Sequence, residues 1–537
     1  MKKLKDYHSY RYHELTKHSV ATLYSEPHYL DWENQPNPFR IYQETERIPL
    51  DHGEKSFSGN FFEPPPIEKN QLITKKVLSH IFYYSLSISA WKKYVDSSWH
   101  LRVNPSAGNL HPEETHLIAC NVEGLKPGIY HYNVFEHLLE MRCMKPLELN
   151  DWGSVGIDKT VEKFSAFLVI NVIAWRQAWK YQRRALRYCF HDAGHAIGSI
   201  QYVLEQMKLD FKVFVKIDSI NLKKLLGLQS GDEFPLIVIG LGNTSSPHKL
   251  NKCERLFMGK ANALSETEVT YPLIEEIKSL NVSFEELNSH KQINPSKSFL
   301  STKINPLKTI PFKMLSEPVP SGLAAGSLNS PSSSKVKNFF TMVRSRRSAQ
   351  AYDQKTEMEL DALSLILKKA FLGPKMDYDL NTSSLIDLYL FVHRIKGLER
   401  GLYLYDKSEH QLFLLQNGNI ESTASSLSLS QEIASDSSVC FAMIANFSLA
   451  FSLLGEIGYR AIHFEVGRIG QALYLGSESL NYNSTGIGAF FDDDVNRFLQ
   501  LREGYEVIYH FAMGKAIPDM RIQTLDGYYH LNRPGEN

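Results

Sequence analysis

The chain has 537 residues, 43% of them hydrophobic and 22% charged, with 59 basic and 59 acidic side chains. That length accommodates two or more ordinary domains with real cores, and zero net charge argues against wholesale binding to nucleic acid or to an anionic membrane. The five cysteines (Cys120, Cys143, Cys189, Cys253 and Cys440) are scattered and form no CxxC pair, which speaks against a disulfide scaffold or structural zinc and suits a reducing compartment.

The first eight residues lack the apolar core of a signal peptide and no long apolar run follows, so a cytoplasmic protein without a membrane span is expected. Residues 1–50 carry His8, His13, His18 and His28 at spacings that fit no standard ligand pattern; a packed leader is expected, not a metal centre. Helical spacing of Val77, Leu78, Ile81 and Phe82 predicts a helix over 75–86. The run Asn-Pro-Ser-Ala-Gly-Asn-Leu-His-Pro at 104–112 reads as a fixed loop. Its prolines hold the path, while Ala107 and Gly108 let something flat come close. Taken alone, the motif reads equally well as a plain proline turn. An apolar strand over 116–120 follows.

Gly-Leu-Lys-Pro-Gly-Ile-Tyr-His-Tyr at 124–132, ending near His137, recurs as Gly-Leu-Glu-Arg-Gly-Leu-Tyr-Leu-Tyr at 397–405, ending near His410. Leu186-Arg187 and Asp192-Ala193-Gly194 recur as Tyr459-Arg460 and Glu465-Val466-Gly467, at the same offset of 273 residues. Two motifs sharing one offset indicate an internal duplication, too long in period for a solenoid. The expected organisation is a leader (1–50), a first domain (51–250), a wrapping tether (251–335) and a second domain (336–537). The tether ends in linker composition over 318–334, after a short helix expected over 273–287. Each half reads as helix, loop, two strands, helix and strand. Buried helices are expected over 195–208 and 469–480, with closing strands over 234–240 and 507–514, an α+β layout.

The halves differ where chemistry is expected. Half two opens with Arg344-Ser345-Arg346-Arg347-Ser348-Ala349-Gln350. Arg346, Ser348 and Gln350 alternate, so an extended arm points them to one side, suited to a phosphate; the plainer alternative is a solvated basic face. Half one has Phe61 and Glu63 at the places of Arg346 and Ser348. Half two also has Gly486-Ile487-Gly488, a turn that exposes backbone amides, with Asp493 or Asp494 expected to cap the next helix. Half one has Val213 and Val215 there. Conversely, Pro105-Ser106-Ala107-Gly108-Asn109 faces Tyr378-Asp379-Leu380-Asn381-Thr382. Arg187 and Asp192 read as a structural ion pair.

Together these residues resemble the nitroreductase-like flavoprotein superfamily, and more narrowly its SagB/ThcOx-type dehydrogenase branch. The resemblance implies two nitroreductase-like domains, each a mostly antiparallel sheet flanked by helices, packed as a pseudodimer in one chain. It implies FMN held by Arg346, Arg347, Ser348 and Gln350 (which stands where a cation is usual), by Gly486, Ile487 and Gly488, and by Lys515 as a late phosphate cation. Pro105, Ser106, Ala107, Gly108 and Asn109 resemble the partner's loop against the ring. Lys180 and Tyr181 resemble the branch's catalytic Lys-Tyr pair, with Tyr181 as acid/base aided by Lys180; the plainer reading makes Tyr181 a core aromatic and Lys180 a solvated cation. The implied activity is dehydrogenation of an azoline or similar C–N or C–C bond in a peptide or small molecule, at one FMN per chain, by a protein monomeric or weakly self-associating beyond the pseudodimer. An NAD(P)H-dependent nitroreductase and a non-catalytic flavin- or peptide-binding scaffold are the alternatives.

Overall fold

The computed structural model describes residues 3–25, 29–54, 57–68, 71–228, 232–242, 254–280, 305–312, 336–374, 376–377 and 385–531. The linker run 318–334, residues 281–287 of the tether helix and residues 378–382 opposite the loop lie outside the described residues. A leader helix, α1 (His8–Leu15), comes first. In half one, α2 (Lys75–Ser85) starts at Thr74, whose hydroxyl accepts from the Val77 amide at 3.1 Å. The strands are β1 (Arg47–Pro49), β2 (Ile88–Tyr94), β3 (Ser97–Arg102), β4 (Glu113–Ala119), β5 (Gly128–Asn133), β6 (Leu138–Cys143), β7 (Ala166–Ile173), β8 (Phe211–Phe214) and β9 (Glu233–Leu241). Two helices, α3 (Ala174–Tyr181) and α4 (Ala185–Gln206), lie between β7 and β8.

Half two repeats the plan. Its strands are β10 (Lys308–Pro311), β11 (Ile386–Val392), β12 (Gly401–Asp406), β13 (Gln411–Asn417), β14 (Val439–Asn446), β15 (Asn483–Ile487) and β16 (Tyr505–Gly514). Its helices are α5 (Phe339–Ser345), α6 (Leu360–Ala370), α7 (Phe447–Leu454) and α8 (Ile457–Ser479). The sheet orders, β1-β6-β5-β4-β7-β9-β8 and β10-β13-β12-β11-β14-β16-β15, are the same order twice, and both sheets are antiparallel. The protein is thus α+β, two seven-stranded sheets flanked by helices. The edge strands β1 and β10 fall in the stretches read as leader and tether. The chain's last strand, β17 (Gln523–Asp526), returns to half one and pairs with β2.

α4 and α8 are buried almost throughout, as apolar character on every face requires. Both start about ten residues earlier than periodicity alone indicates. They pack against each other at Gly194 and Gly467: a Cβ on Gly467 would lie 2.2 Å from His191 O and 2.8 Å from Gly194 Cα. Only glycine lets the two backbones come so close.

Half one also buries a charged network that half two lacks. His131 is fully buried between Glu140 (2.9 Å) and Glu114 (3.0 Å), and Glu114 pairs with Arg176 (2.6 Å). At the 273 offset, half two has Leu404 for His131, Phe413 for Glu140 and Leu449 for Arg176. Burial opposes a charge on His131, but the two glutamates outweigh it and raise the imidazole to about 9.

Gly467→Ala should destabilise the protein by about 3 kcal/mol or more in urea unfolding, the upper end of overpacking costs. Gly153→Ala, where a Cβ meets nothing within 4 Å, should leave stability unchanged or slightly raised. A second expectation concerns pH. The folded His131 value lies above its ordinary one, so its contribution is complete below about pH 6.5 and is lost as pH rises through about 9, on the order of 3 kcal/mol. His131→Leu should cost about 3–5 kcal/mol near neutrality, because two buried carboxylates lose their partner, and should flatten that pH dependence.

Candidate functional site

β3 leads into the 105–109 loop and β4 leads out. Gly108 has φ 63°, and a Cβ there would lie 2.7 Å from the Tyr181 hydroxyl and 3.4 Å from the Lys180 side chain. The loop is pinned from behind by α3 and α4. Ser106 Oγ donates to Asp192 Oδ2 (2.7 Å) and the Ala107 amide donates to Oδ1 (3.0 Å). Gln177 Nε2 donates to Asp192 Oδ2 (2.8 Å) and to Ala107 O (3.1 Å). Asn109 Nδ2 donates to His100 O at 2.8 Å, closing the far side, and Pro105 is buried between these anchors. Asp192 therefore does not pair with Arg187. Five positions apart on a helix, the two side chains leave different faces. Arg187 crosses instead to Asp492 of half two (2.7 Å), which Arg184 also reaches (3.1 Å). Burial opposes the Asp492 charge, but the two arginines hold its carboxyl at about 2.

Lys180 and Tyr181 end α3. The next residue, Gln182, has φ 47° and ψ −135°, where its counterpart Gly455 has φ 55° and ψ −140°. A non-glycine residue there stores about 1–3 kcal/mol of strain. The leader braces the segment: Tyr12 Oη donates to Arg183 O (2.6 Å), Trp179 Nε1 to Asp31 O (2.8 Å) and Arg176 Nε to Asn37 O (3.0 Å). The Tyr181 ring lies 4.3 Å from that of Tyr188, and Lys180 Nζ stands 5.5 Å from the Tyr181 centroid. Burial, then Tyr188 and Asp192, push the Tyr181 hydroxyl above its ordinary range. The hydroxyl is thus less acidic than usual, contrary to expectation, with burial the main cause.

From half two, the arm runs along the β15 edge, where Ser348 bridges Ser484 and the Ala349 amide donates to Ser484 O (2.9 Å). Arg346 is buried; Nη2 donates to Val103 O (3.0 Å), its guanidinium lies 4.7 Å from the Tyr474 ring centroid, and Nε and Nη1 have no partner. Ser348 and Gln350 are exposed where Arg346 is buried, yet Ser348 Oγ and the Arg346 guanidinium both meet Tyr474. Arg347 Nη1 donates to Arg344 O (2.8 Å), and burial, then Arg346 and Arg344, lower its value to about 10. Among the described residues none of these three arginines forms an ion pair. The arm is cationic, and its buried Arg346 lacks two hydrogen-bond partners, which fits an anion. Tyr474 Oη meets Ser348 Oγ at 2.9 Å and accepts from the Gly486 amide at 2.9 Å. Gly486 and Ile487 close β15, and Gly488 follows against Tyr188, whose hydroxyl donates to Gly488 O (3.2 Å). Among the described residues, the Gly488 and Ala489 amides have no acceptor. Lys515 is exposed and donates to Asn481 O at 2.9 Å. Neither Asp493 nor Asp494 caps the helix Asp492–Phe498, since the cap position is Phe491.

The mirror position is filled. Phe61 is buried 4.9 Å from the Tyr202 ring, with Lys369 Nζ 5.5 Å from its centroid, and Glu63 is exposed. The Val215 and Lys216 amides, equivalent to those of Gly488 and Ala489, donate to the Asp377 carboxylate at 3.0 and 2.8 Å. Sequence reasoning missed Asp377, Tyr474, Gln177 and the hook role of Asp192. Asp192 alone carried a sequence signal, sitting in a repeated motif at the same offset as Glu465.

His13, Glu14 and Glu506 come within ligand distance of one another, but Lys17 Nζ already bridges the two glutamates at 2.7 and 3.1 Å. No helix of the described residues is long and apolar enough to cross a membrane.

Residues 343–515 match the Nitroreductase family model. A solved protein from Anabaena variabilis, assigned as a nitroreductase, superposes with TM-score 0.71 at 25% identity, covering 95% of this chain and all of that one. A Methanocaldococcus jannaschii protein carrying the same assignment is 26% identical over 118 residues, which is 22% of this chain and 60% of that relative. The second half thus matches the Nitroreductase family, and the chain carries the nitroreductase-like fold twice in tandem.

Proposed function

We propose that the chain is an FMN-dependent oxidoreductase of the SagB/ThcOx dehydrogenase type with one flavin site shared between its halves. The observation that carries this reading is Arg346, a buried guanidinium with two unpartnered nitrogens in an arm without a carboxylate. Arg346, Arg347, Ser348 and Lys515 would hold the phosphate, with Gln350 at the arm's end. The free amides of Gly488 and Ala489 would meet acceptor atoms of the ring, beside Gly486 and Ile487. Pro105, Ser106, Ala107, Gly108 and Asn109 would close over it from half one. Bound FMN supplies hydride acceptance and return.

Lys180 and Tyr181 stand over Gly108, where a substrate would enter, and the strained Gln182 keeps them there. Burial keeps Tyr181 protonated, so it enters as a hydrogen-bond donor that orients substrate and gives up a proton. In the dehydrogenase direction the Lys180–Tyr181 pair would take the substrate proton, the role that the branch resemblance gives it. A protonated phenol also suits the reductive alternative, an NAD(P)H-dependent nitroreductase-type enzyme. Oxygen reoxidation after substrate reduction supports the first reading, and bleaching of the flavin by NAD(P)H supports the second. Absence of turnover with either would leave a binding scaffold. The substrate class, a peptide or small molecule, follows from the branch resemblance, as does the division into a leader, two domains and a tether.

Arg346→Ala should strip FMN, each charge-assisted hydrogen bond contributing roughly 1.5–3 kcal/mol. Glu63→Ala should leave flavin content unchanged. Released flavin counted by absorbance should give one FMN per chain; two per chain, or equal loss in both variants, would sink the shared-site reading. Lys180→Ala and Tyr181→Phe should lower turnover at least about tenfold, within the usual range of acid/base contributions, with FMN retained in the purified protein.

A further inference from the structure

The 105–109 loop hangs from one buried carboxyl, and a second stands behind it. Asp192 is 2% exposed and Glu113, at the start of β4, is 3% exposed. Three donors converge on Asp192: the Ser106 hydroxyl, the Ala107 amide and the Gln177 carboxamide. Neither oxygen of Glu113 has any donor. The other charged or titratable groups facing the pair are Arg102 and Arg176, Glu114 beside Glu113 on β4, Cys189 on α4, Tyr181 on α3 and Tyr509 on β16. Arg102 donates to the Glu113 backbone carbonyl at 3.3 Å and makes no hydrogen bond to its carboxyl. Half two has no such pair. Ile386 stands at the place of Glu113, and Glu465, at the place of Asp192, is tied to Arg468 at 2.9 Å. The pair thus occurs only in the half that carries the loop.

Asp192 feels the charge of Glu113, and two buried carboxyls so coupled cannot both ionise cheaply. Burial pushes Glu113 up to about 7 against the opposing pull of Arg102 and Arg176, and burial, then the charge of Glu113, raises Asp192. With three donors on Asp192 and none on Glu113, a single retained proton sits on Glu113.

Resting on the flavin reading above, we propose that Asp192 and Glu113 are positioning residues: Asp192 is the hook that aims the 105–109 loop at the ligand, and Glu113 is a proton store that keeps the pair at a single negative charge while the ligand is bound. Loss of the stored proton places a second negative charge behind the loop. That charge repels Asp192 away from its three donors and weakens binding of an anionic ligand.

FMN titration by fluorescence quenching, on the full chain between pH 5.5 and 9, tests this, with melting temperatures recorded for every variant. Wild-type affinity should fall as pH rises through about 7, by at most about tenfold per pH unit for one linked proton. Glu113→Gln should keep the low-pH affinity and lose that step. The titration of FMN's own phosphate is common to both proteins and cancels in the comparison. Asp192→Asn should bind FMN about tenfold more weakly, because its carboxamide turns a donor toward Gln177 or Ala107. Should Asp192→Asn fail to fold, Glu113→Gln still decides. A Glu113→Gln protein with the wild-type step, or a folded Asp192→Asn protein with wild-type affinity, overturns the pair while leaving the flavin reading intact. Wild-type protein that takes up no FMN at any pH overturns both.

Discussion

Everything at the candidate site depends on the contact between Gly194 and Gly467. A helix pair with side chains at that crossing would be held further apart. Arg187 and Arg184 of α4 would then fall short of Asp492, and Tyr188 would leave Gly488. Those contacts bring the 105–109 loop of half one to the arm and β15 edge of half two. The leader adds a second clamp across the same seam: Arg187 Nε donates to Thr16 Oγ1 (3.0 Å), and Ser9 Oγ meets Glu456 (2.7 Å). On the proposed reading the site belongs to this interface, with residues from both halves.

Duplication let the two halves take different burdens. Half two packs Leu404, Phe413 and Ile444 where half one buries His131, Glu140 and Asn171. An apolar set is the cheaper core, since buried ions must recover their desolvation through geometry. Half one accepts that cost where the network is useful. Arg176 ties Glu114 to His111 O (2.9 Å) and to the leader at Asn37, fixing the far end of the 105–109 loop and the root of the Lys180–Tyr181 segment together.

The duplication was legible because two unrelated motifs share one offset, and offset survives divergence better than composition does. The sheets, both long helices and the loop were legible for the same reason that they fold: period and turn chemistry act locally. What was not legible is set by tertiary geometry. Nothing in the sequence separates Asp192 as a partner of Arg187 from Asp192 as a hook under Ser106, since that choice depends on which helix face meets β4. Alternation placed Arg346, Ser348 and Gln350 alike, and it could not foresee that Arg346 is buried against Tyr474 while the other two are exposed. Tyr181 looked acidic beside a lysine, and burial, which sequence does not measure, decided the opposite.

The mirror position explains what the asymmetry accomplishes. A duplicated pseudodimer begins with two equivalent clefts, and an abandoned cleft leaves backbone amides to satisfy. Asp377 does this for Val215 and Lys216 with one carboxylate, and Phe61 fills the space over Tyr202. Arg460, the counterpart of Arg187, has lost its acid to Ser219 and caps Val215 O and Ile217 O instead (2.8 and 3.0 Å). Each change satisfies a group that a ligand or an ion pair would otherwise satisfy. In half two the buried Arg346 still has Nε and Nη1 without partners. On the proposed reading, the half-one groups are satisfied within the chain while their half-two counterparts are left to a ligand.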